Sequence, residues 1–226
     1  MKGHPSSNDL IILADKNTCS ALEGILSRPE ALGIRPIQVE FVRYSLGDPG
    51  ILRNAVELLR PYLHSCQYAL VILDWEGSGR EKQSPAEVEK ELQEELERNG
   101  WEDRCCVIVI DPELEVWVWT DSPHVPEVLR WRSNQESKSD LQSLKEWLAR
   151  HRFLQPGQAK PSRPKEAMEE VLRQTRIPRS SALYKELANK VSLRHGTDRA
   201  FCQLTETLRK WFPAPENETG QACGNR

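Results

Sequence analysis

Three apolar runs in this chain end on carboxylates. "LIILA" leads into Asp15, "ALVIL" into Asp74 and Glu76, and "CCVIVI" into Asp111, Glu113 and Glu115. A carboxylate at the end of a buried strand is costly to desolvate unless a metal ion, a basic group or water meets it. Residues i and i+2 of a strand share a face, so Asp74 and Glu76 could enter one site if extended geometry continues past the strand. Hard cations such as Mg²⁺ or Mn²⁺ prefer carboxylate oxygens and keep waters that a substrate phosphate can replace. Two such ions stabilise both the attacking and the leaving oxygen of a phosphodiester cleavage. The structural alternative is plain. Acids just after strands commonly cap helices or form turns, and Asp15 before "KNT" and Asp111 before Pro112 suit that use.

The elements that must position these residues follow from periodicity. "DLIILADKNTCSALEGILSR" reads as a strand to about Ala14, a turn through Asp15 to Asn17, and an amphipathic helix opened by Thr18. "IRPIQVEFVRY" alternates as a strand, and Asp48-Pro49 begins a helix with apolar residues at helical spacing. "YALVILD" is a continuous aliphatic strand. Ser84 and Pro85 open the next helix, which stops at Asn99-Gly100. "RCCVIVID" is another buried strand, and "LEVWVWT" has the β-branched and aromatic content of a fifth, with a helix start as the alternative. Strands separated by helices imply crossover connections: an α/β fold with a mainly parallel sheet and flanking helices, its chemistry gathered at the carboxyl ends of the strands. After residue 121 the chain turns to short helical segments with Trp and Leu anchors. Residues 1–121 therefore read as the α/β domain, 122–212 as a C-terminal helical subdomain packed on it, and 213–226 as a disordered tail.

Charge divides the chain in the same sense. Residues 1–150 carry 17 Lys and Arg against 26 Asp and Glu, a net of −9, whereas residues 151–200 carry 11 against 5, a net of +6. The acidic part is unlike a general polyanion binder, although carboxylates gathered at a metal would contribute to its charge, and the basic stretch could supply phosphate contacts. No apolar run approaches the ~20 residues of a membrane helix, and "MKGHPSSNDL" lacks the apolar stretch of a secretory signal, so a cytoplasmic protein without membrane contact is expected. The 6 cysteines show no zinc-like spacing and read as small core residues of a reducing compartment.

The order of motifs resembles a known family. "ADKNTCSALEGIL", then acid-x-acid-Gly in "LDWEGSG", then "PELEVWVWTD" resemble the Toprim nucleases of the overcoming-lysogenization-defect type and their small stand-alone bacterial relatives. Those relatives show an E-x-E-x-W-x-x-x-D pattern, matched here by Glu113, Glu115, Trp117 and Asp121. "YKELANKVSLRHGTDRAFCQLTETLRKW" looks like their closing helices, so the likeness covers most of the chain. The chain is also similar to a small protein of methylation-associated defence systems. The resemblance implies a Toprim-like fold, Mg²⁺ or Mn²⁺ at the acids, and action on DNA or RNA phosphodiesters in bacterial anti-phage defence, with other defence-system subunits as partners. Carried over residue by residue, Asp15, Asp74, Glu76 and Glu115 take the catalytic positions. Glu113 joins these four as a metal ligand, and Lys165, Arg163 and Arg80 fall to nucleic-acid contact. The family's first motif has Glu-Gly where this chain has Asp15-Lys16, and Cys19 stands where the relatives often carry a second acid.

Two function classes remain open at this point: a metal-dependent nuclease or nuclease-derived subunit, and a catalytically inactive interaction or scaffold subunit of a defence complex. The Asp15-Lys16 departure and the acidic charge favour the second. A phosphate-receiving signalling domain needs a lysine at the end of a late strand, and neither "CCVIVID" nor "LEVWVWT" offers one. "GSGR", residues 77–80, could cradle a phosphate or be a turn, since it lacks the lysine and spacing of a nucleotide loop. The histidines are scattered without a diagnostic partner.

Overall fold

The computed structural model describes residues 8–191 and 198–215. Four strands, β1 (Asn8–Ala14), β2 (Val39–Arg43), β3 (Cys66–Asp74) and β4 (Cys105–Ile110), form one all-parallel sheet in the order β2-β1-β3-β4. The central strands are aliphatic on both faces because both faces are covered. Leu10, Ile12, Leu70, Ile72, Ile108 and Ile110 enter one core, and their alternates Ile11, Leu13, Val71, Leu73, Val107 and Val109 enter the other. This is the expected α/β architecture and is consistent with a Toprim-like arrangement.

Helices α1 (Lys16–Leu26) and α2 (Pro29–Leu32) cover the first face. On the second face lie α3 (Gly47–Leu59) and α4 (Pro85–Leu96), the latter opened by a reciprocal Ser84–Glu87 capping box. After β4 the chain departs from the expected fifth strand. Residues Glu115–Val118 form a single helical turn, α5, since Val116 N–H and Trp117 N–H donate back to the carbonyls of Glu113 and Leu114 at 3.0 and 2.9 Å. The alternating Val and Trp residues still become buried, but in a turn that draws Glu113 and Glu115 inward.

Helices α6 (His124–Val128), α7 (Asp140–Arg150), α8 (Pro164–Thr175) and α9 (Ser181–Lys190) build a core of their own around Trp119, Leu144, Trp147, Met168 and Leu187. The last helix, α10 (Arg199–Trp211), returns to the sheet through Phe201, Leu204 and Leu208. It also covers the β4 edge. The buried Glu89 carboxylate accepts the Val109 N–H at 2.8 Å and pairs with Arg199, whose guanidinium donates to Val109 O at 3.0 Å, while Gln203 donates to Val107 O at 3.1 Å. Side chains thus satisfy backbone groups that would otherwise offer a template for strand addition. Residues 216–226 of the expected tail lie outside the described residues, and Pro213 forms a bridge with Ile34. Cys19, Cys66, Cys105 and Cys106 are buried free thiols, as core residues should be. Among the described residues no helix is long and apolar enough to cross a membrane.

Helix α9 joins the two cores, with Tyr184 and Ala188 in the first and Leu183 and Leu187 in the second. Its backbone lies directly on α1 at Gly24, where an added Cβ would stand 2.5 Å from Lys185 O and 3.0 Å from Asn189 N. Gly24→Ala must therefore push two helices apart, and we expect it to destabilise the fold by about 1–3 kcal/mol despite the better helix propensity of alanine. Chemical denaturation measures this directly. An unchanged midpoint would show that the helices are not in contact there.

Candidate functional site

Strand β3 ends at Asp74. Trp75 N–H and Glu76 N–H still reach Ile110 O and Pro112 O, at 2.8 and 3.0 Å, before the chain reverses through Gly77 at φ +86°. The Asp74 carboxylate is held by the Leu114 N–H, 2.8 Å from Oδ1. That contact places the turn containing Glu113 and Glu115 across the end of the strand. Both glutamates are buried, at 4% and 1% exposure, and one oxygen from each of Asp74, Glu113 and Glu115 lies within 4.8 Å of the others. Such a group could hold a metal ion.

Two cations from the C-terminal helices meet these acids. Lys165 Nζ, in the first turn of α8, is 2.8 Å from Glu113 Oε2. Arg179, just before α9, donates from Nη2 to Glu115 Oε1 at 2.9 Å and from Nε to the Tyr184 hydroxyl at 2.8 Å, and the Tyr184 O–H donates to the same Glu115 oxygen at 2.5 Å. Each partner engages one oxygen only. Among the described residues, Asp74 Oδ2, Glu113 Oε1 and Glu115 Oε2 accept no hydrogen bond from another residue.

Two further acids press on the group. Asp48, in the first turn of α3, is half-buried, and burial together with repulsion from Asp15 pushes its carboxyl up to about 6. Burial, then repulsion from Asp48, Glu115 and Asp15, holds Asp74 well above the usual carboxylate range. Burial also raises Glu115, against the opposing pull of Tyr184 and Arg179. Burial works against the Lys165 ammonium, but Glu113, Glu115 and Asp74 outweigh it, so its pKa is raised. Five carboxylates (Asp15, Asp48, Asp74, Glu113 and Glu115) thus face two cations, Lys165 and Arg179. The deficit is positive charge.

The residues singled out from the sequence fall into distinct places. Asp74, Glu113 and Glu115 converge, and Lys165 faces them. Asp15 caps α1 through a 2.6 Å bond from Thr18 N–H and stands close enough to Asp48 and Asp74 to repel both. Glu76 is exposed and lies outside the convergent group, although its N–H still pairs with Pro112 O beyond the end of β3. Asp111 and Asp121 are exposed, Asp121 pairing with Lys145 at 2.7 Å. Arg80 is engaged by Gln83 and Glu91, and Arg163 by Glu166. The Gly-Ser-Gly segment folds around its own anion, with Gly77 N–H and Gly79 N–H donating to Glu81 Oε1 at 2.9 and 3.0 Å. Asp48, Arg179 and Tyr184 are the site residues that sequence reasoning missed. Asp48 also follows a strand, β2, and that signal was present; nothing local marks Arg179 or Tyr184.

No family model, curated protein or solved structure matches this chain. The site therefore stands on its own geometry.

Asp48 supplies a test of the crowding. Its folded-state pKa lies above its unfolded value, so the penalty for ionising it is absent at low pH and grows as pH rises from about 4 through about 6. Asp48→Asn should raise stability at pH 8 by about 1–3 kcal/mol, discounted for partial solvent access, and the gain should vanish near pH 4. Denaturation curves at the two pH values check it. A variant equally altered at both would show that no electrostatic load is present.

Proposed function

We propose that the chain is a Mg²⁺- or Mn²⁺-dependent phosphodiesterase acting on nucleic acid, a Toprim-like nuclease or nuclease-derived component of anti-phage defence. The observation that carries this is the convergence of Asp74, Glu113 and Glu115 oxygens within 4.8 Å at the carboxyl end of β3, in a field where acids outnumber cations. When bound, a divalent cation supplies the missing charge and polarises a phosphoryl oxygen. Asp74, Glu113 and Glu115 would hold it. Lys165, 2.8 Å from Glu113, can turn its ammonium to a substrate phosphate without leaving the site. Asp48, with its carboxyl near 6, is ionised at neutral pH yet basic enough to accept a proton from an attacking water. Arg179 and Tyr184 fix the orientation of Glu115.

A catalytically inactive scaffold is the second reading. It is favoured by the same two ion pairs, which already anchor Glu113 and Glu115, and by Asp15 being committed to capping α1 in place of the Glu-Gly of the resembled family.

The two separate in a pair of measurements on the purified full chain. Mn²⁺ or Mg²⁺ is expected to raise the melting temperature and to support cleavage of plasmid DNA or of RNA, with Asp74→Asn abolishing both effects. A protein that neither responds thermally to these ions nor cuts either polymer is not this enzyme.

A further inference from the structure

The helical layer carries a second feature that the acid site does not use. Two triplets of the same form, Arg130-Trp131-Arg132 and Arg150-His151-Arg152, lie 20 residues apart in sequence, and the central ring of each packs on Trp147. Trp131 packs edge-on against Trp147 at 5.2 Å, and His151 stacks on the same Trp147 at 4.0 Å. Trp131 also donates from Nε1 to Ser143 Oγ at 3.4 Å. Ser143, Trp147 and Arg150 are spaced i, i+4, i+7 and so share one stripe of α7.

The tryptophans are anchors, each 8% exposed, whereas all four flanking arginines are exposed. Arg130 and Arg152 hold left-handed backbone at φ +50° and +61°, a conformation that a long side chain adopts only at some cost. Of the acids around them, Asp140, Glu146 and Glu166 are each matched to a cation, Arg132, Lys138 and Arg163 respectively, and Glu136 on the loop before α7 is the exception. Arg130 and Arg152 have no ion pair among the described residues, and Arg150 donates to the Glu146 carbonyl and acts on its carboxylate only at longer range.

The patch runs toward the acid cluster. Phe153 follows Arg152 and continues the ring stack with Trp147 at 6.4 Å, the guanidinium of Arg163 lies 5.0 Å over the Phe153 ring, and Lys165 is two residues further on. From these observations we infer that Arg130, Arg150 and Arg152 form a docking surface for the phosphate backbone of a nucleic acid, leading it past Arg163 to Lys165. The rings are too buried to stack on bases, so contact is electrostatic and independent of sequence. This deepens the proposed function, and its nucleic-acid substrate rests on that reading.

The test measures binding in EDTA, where metal-dependent cleavage is silent, using labelled duplex and single-stranded DNA and a salt series. The full chain is expected to bind at low salt. The triple variant Arg130→Ala, Arg150→Ala, Arg152→Ala should lose on the order of tenfold or more in affinity, with a log–log salt slope shallower by roughly 3, one for each lost phosphate contact. Its melting temperature should be unchanged, since the three side chains are exposed. Arg98→Ala, an exposed arginine outside both the patch and the acid site, should bind like the parent. If that variant binds, the triple variant does not, and no cleavage is ever seen, the docking surface stands and the hydrolytic function falls. A triple variant with parental affinity and slope, or a parent that binds neither DNA, overturns the surface.

Discussion

The energetic problem of this fold is the carboxylate of Asp74, placed where an aliphatic strand leaves the sheet and pressed by Asp48, Asp15 and Glu115. Burying one such group is costly, and crowding several is more so unless positive charge or hydrogen bonds meet them. The chain answers with the Leu114 amide, with Lys165, and with the Arg179–Tyr184 pair on Glu115. These contacts tie the helical layer to the end of the sheet, so the site and the packing of the two cores are one arrangement. Residues from α8 and α9 reach acids more than 50 positions earlier in the chain.

The answer is incomplete, and that incompleteness gives the site its chemical character. A purely structural cluster would be expected to match its charges. Here the carboxyl groups of Asp48, Asp74 and Glu115 are all raised, which means that the folded chain resists ionising them and would be stabilised by a further cation. Lys165 is well suited to a double role. Its ammonium is the internal counter-ion of Glu113, and in the proposed phosphodiesterase its flexible stem would let it turn to a substrate phosphate. The three acids meanwhile keep one oxygen each unengaged. On the proposed reading, stability and reactivity are two uses of one excess of carboxylates.

Much of the scaffold was legible in the sequence, because continuous aliphatic runs such as "ALVILD" and "CCVIVID" read as strands buried on both faces, and the helix-start signals at Ser84-Pro85 and Asp48-Pro49 are local. The rule that acids gather at strand ends located Asp74, Glu113 and Glu115. Glu76, expected beside Asp74 by the i, i+2 rule, is exposed and outside the convergent group, because the chain reverses through Gly77 directly after it. "LEVWVWT" misled for a related reason. Alternating β-branched and aromatic residues also suit a buried turn, and the hydrogen bonds of Glu113 and Leu114 carbonyls decided for α5. Asp48 was read as a helix opener although it obeys the same strand-end rule through β2. Arg179 and Tyr184 were invisible, because only tertiary packing of α9 on α1 brings them to Glu115.

Everything functional depends on one cation fitting among Asp74, Glu113 and Glu115. Anomalous diffraction from crystals of the protein equilibrated with Mn²⁺ examines that placement most directly. The account predicts a manganese peak bounded by oxygens of these three carboxylates, with the Lys165 ammonium moved off Glu113. Clean density for the three acids with no peak between them, and Lys165 and Arg179 still in place, would contradict it.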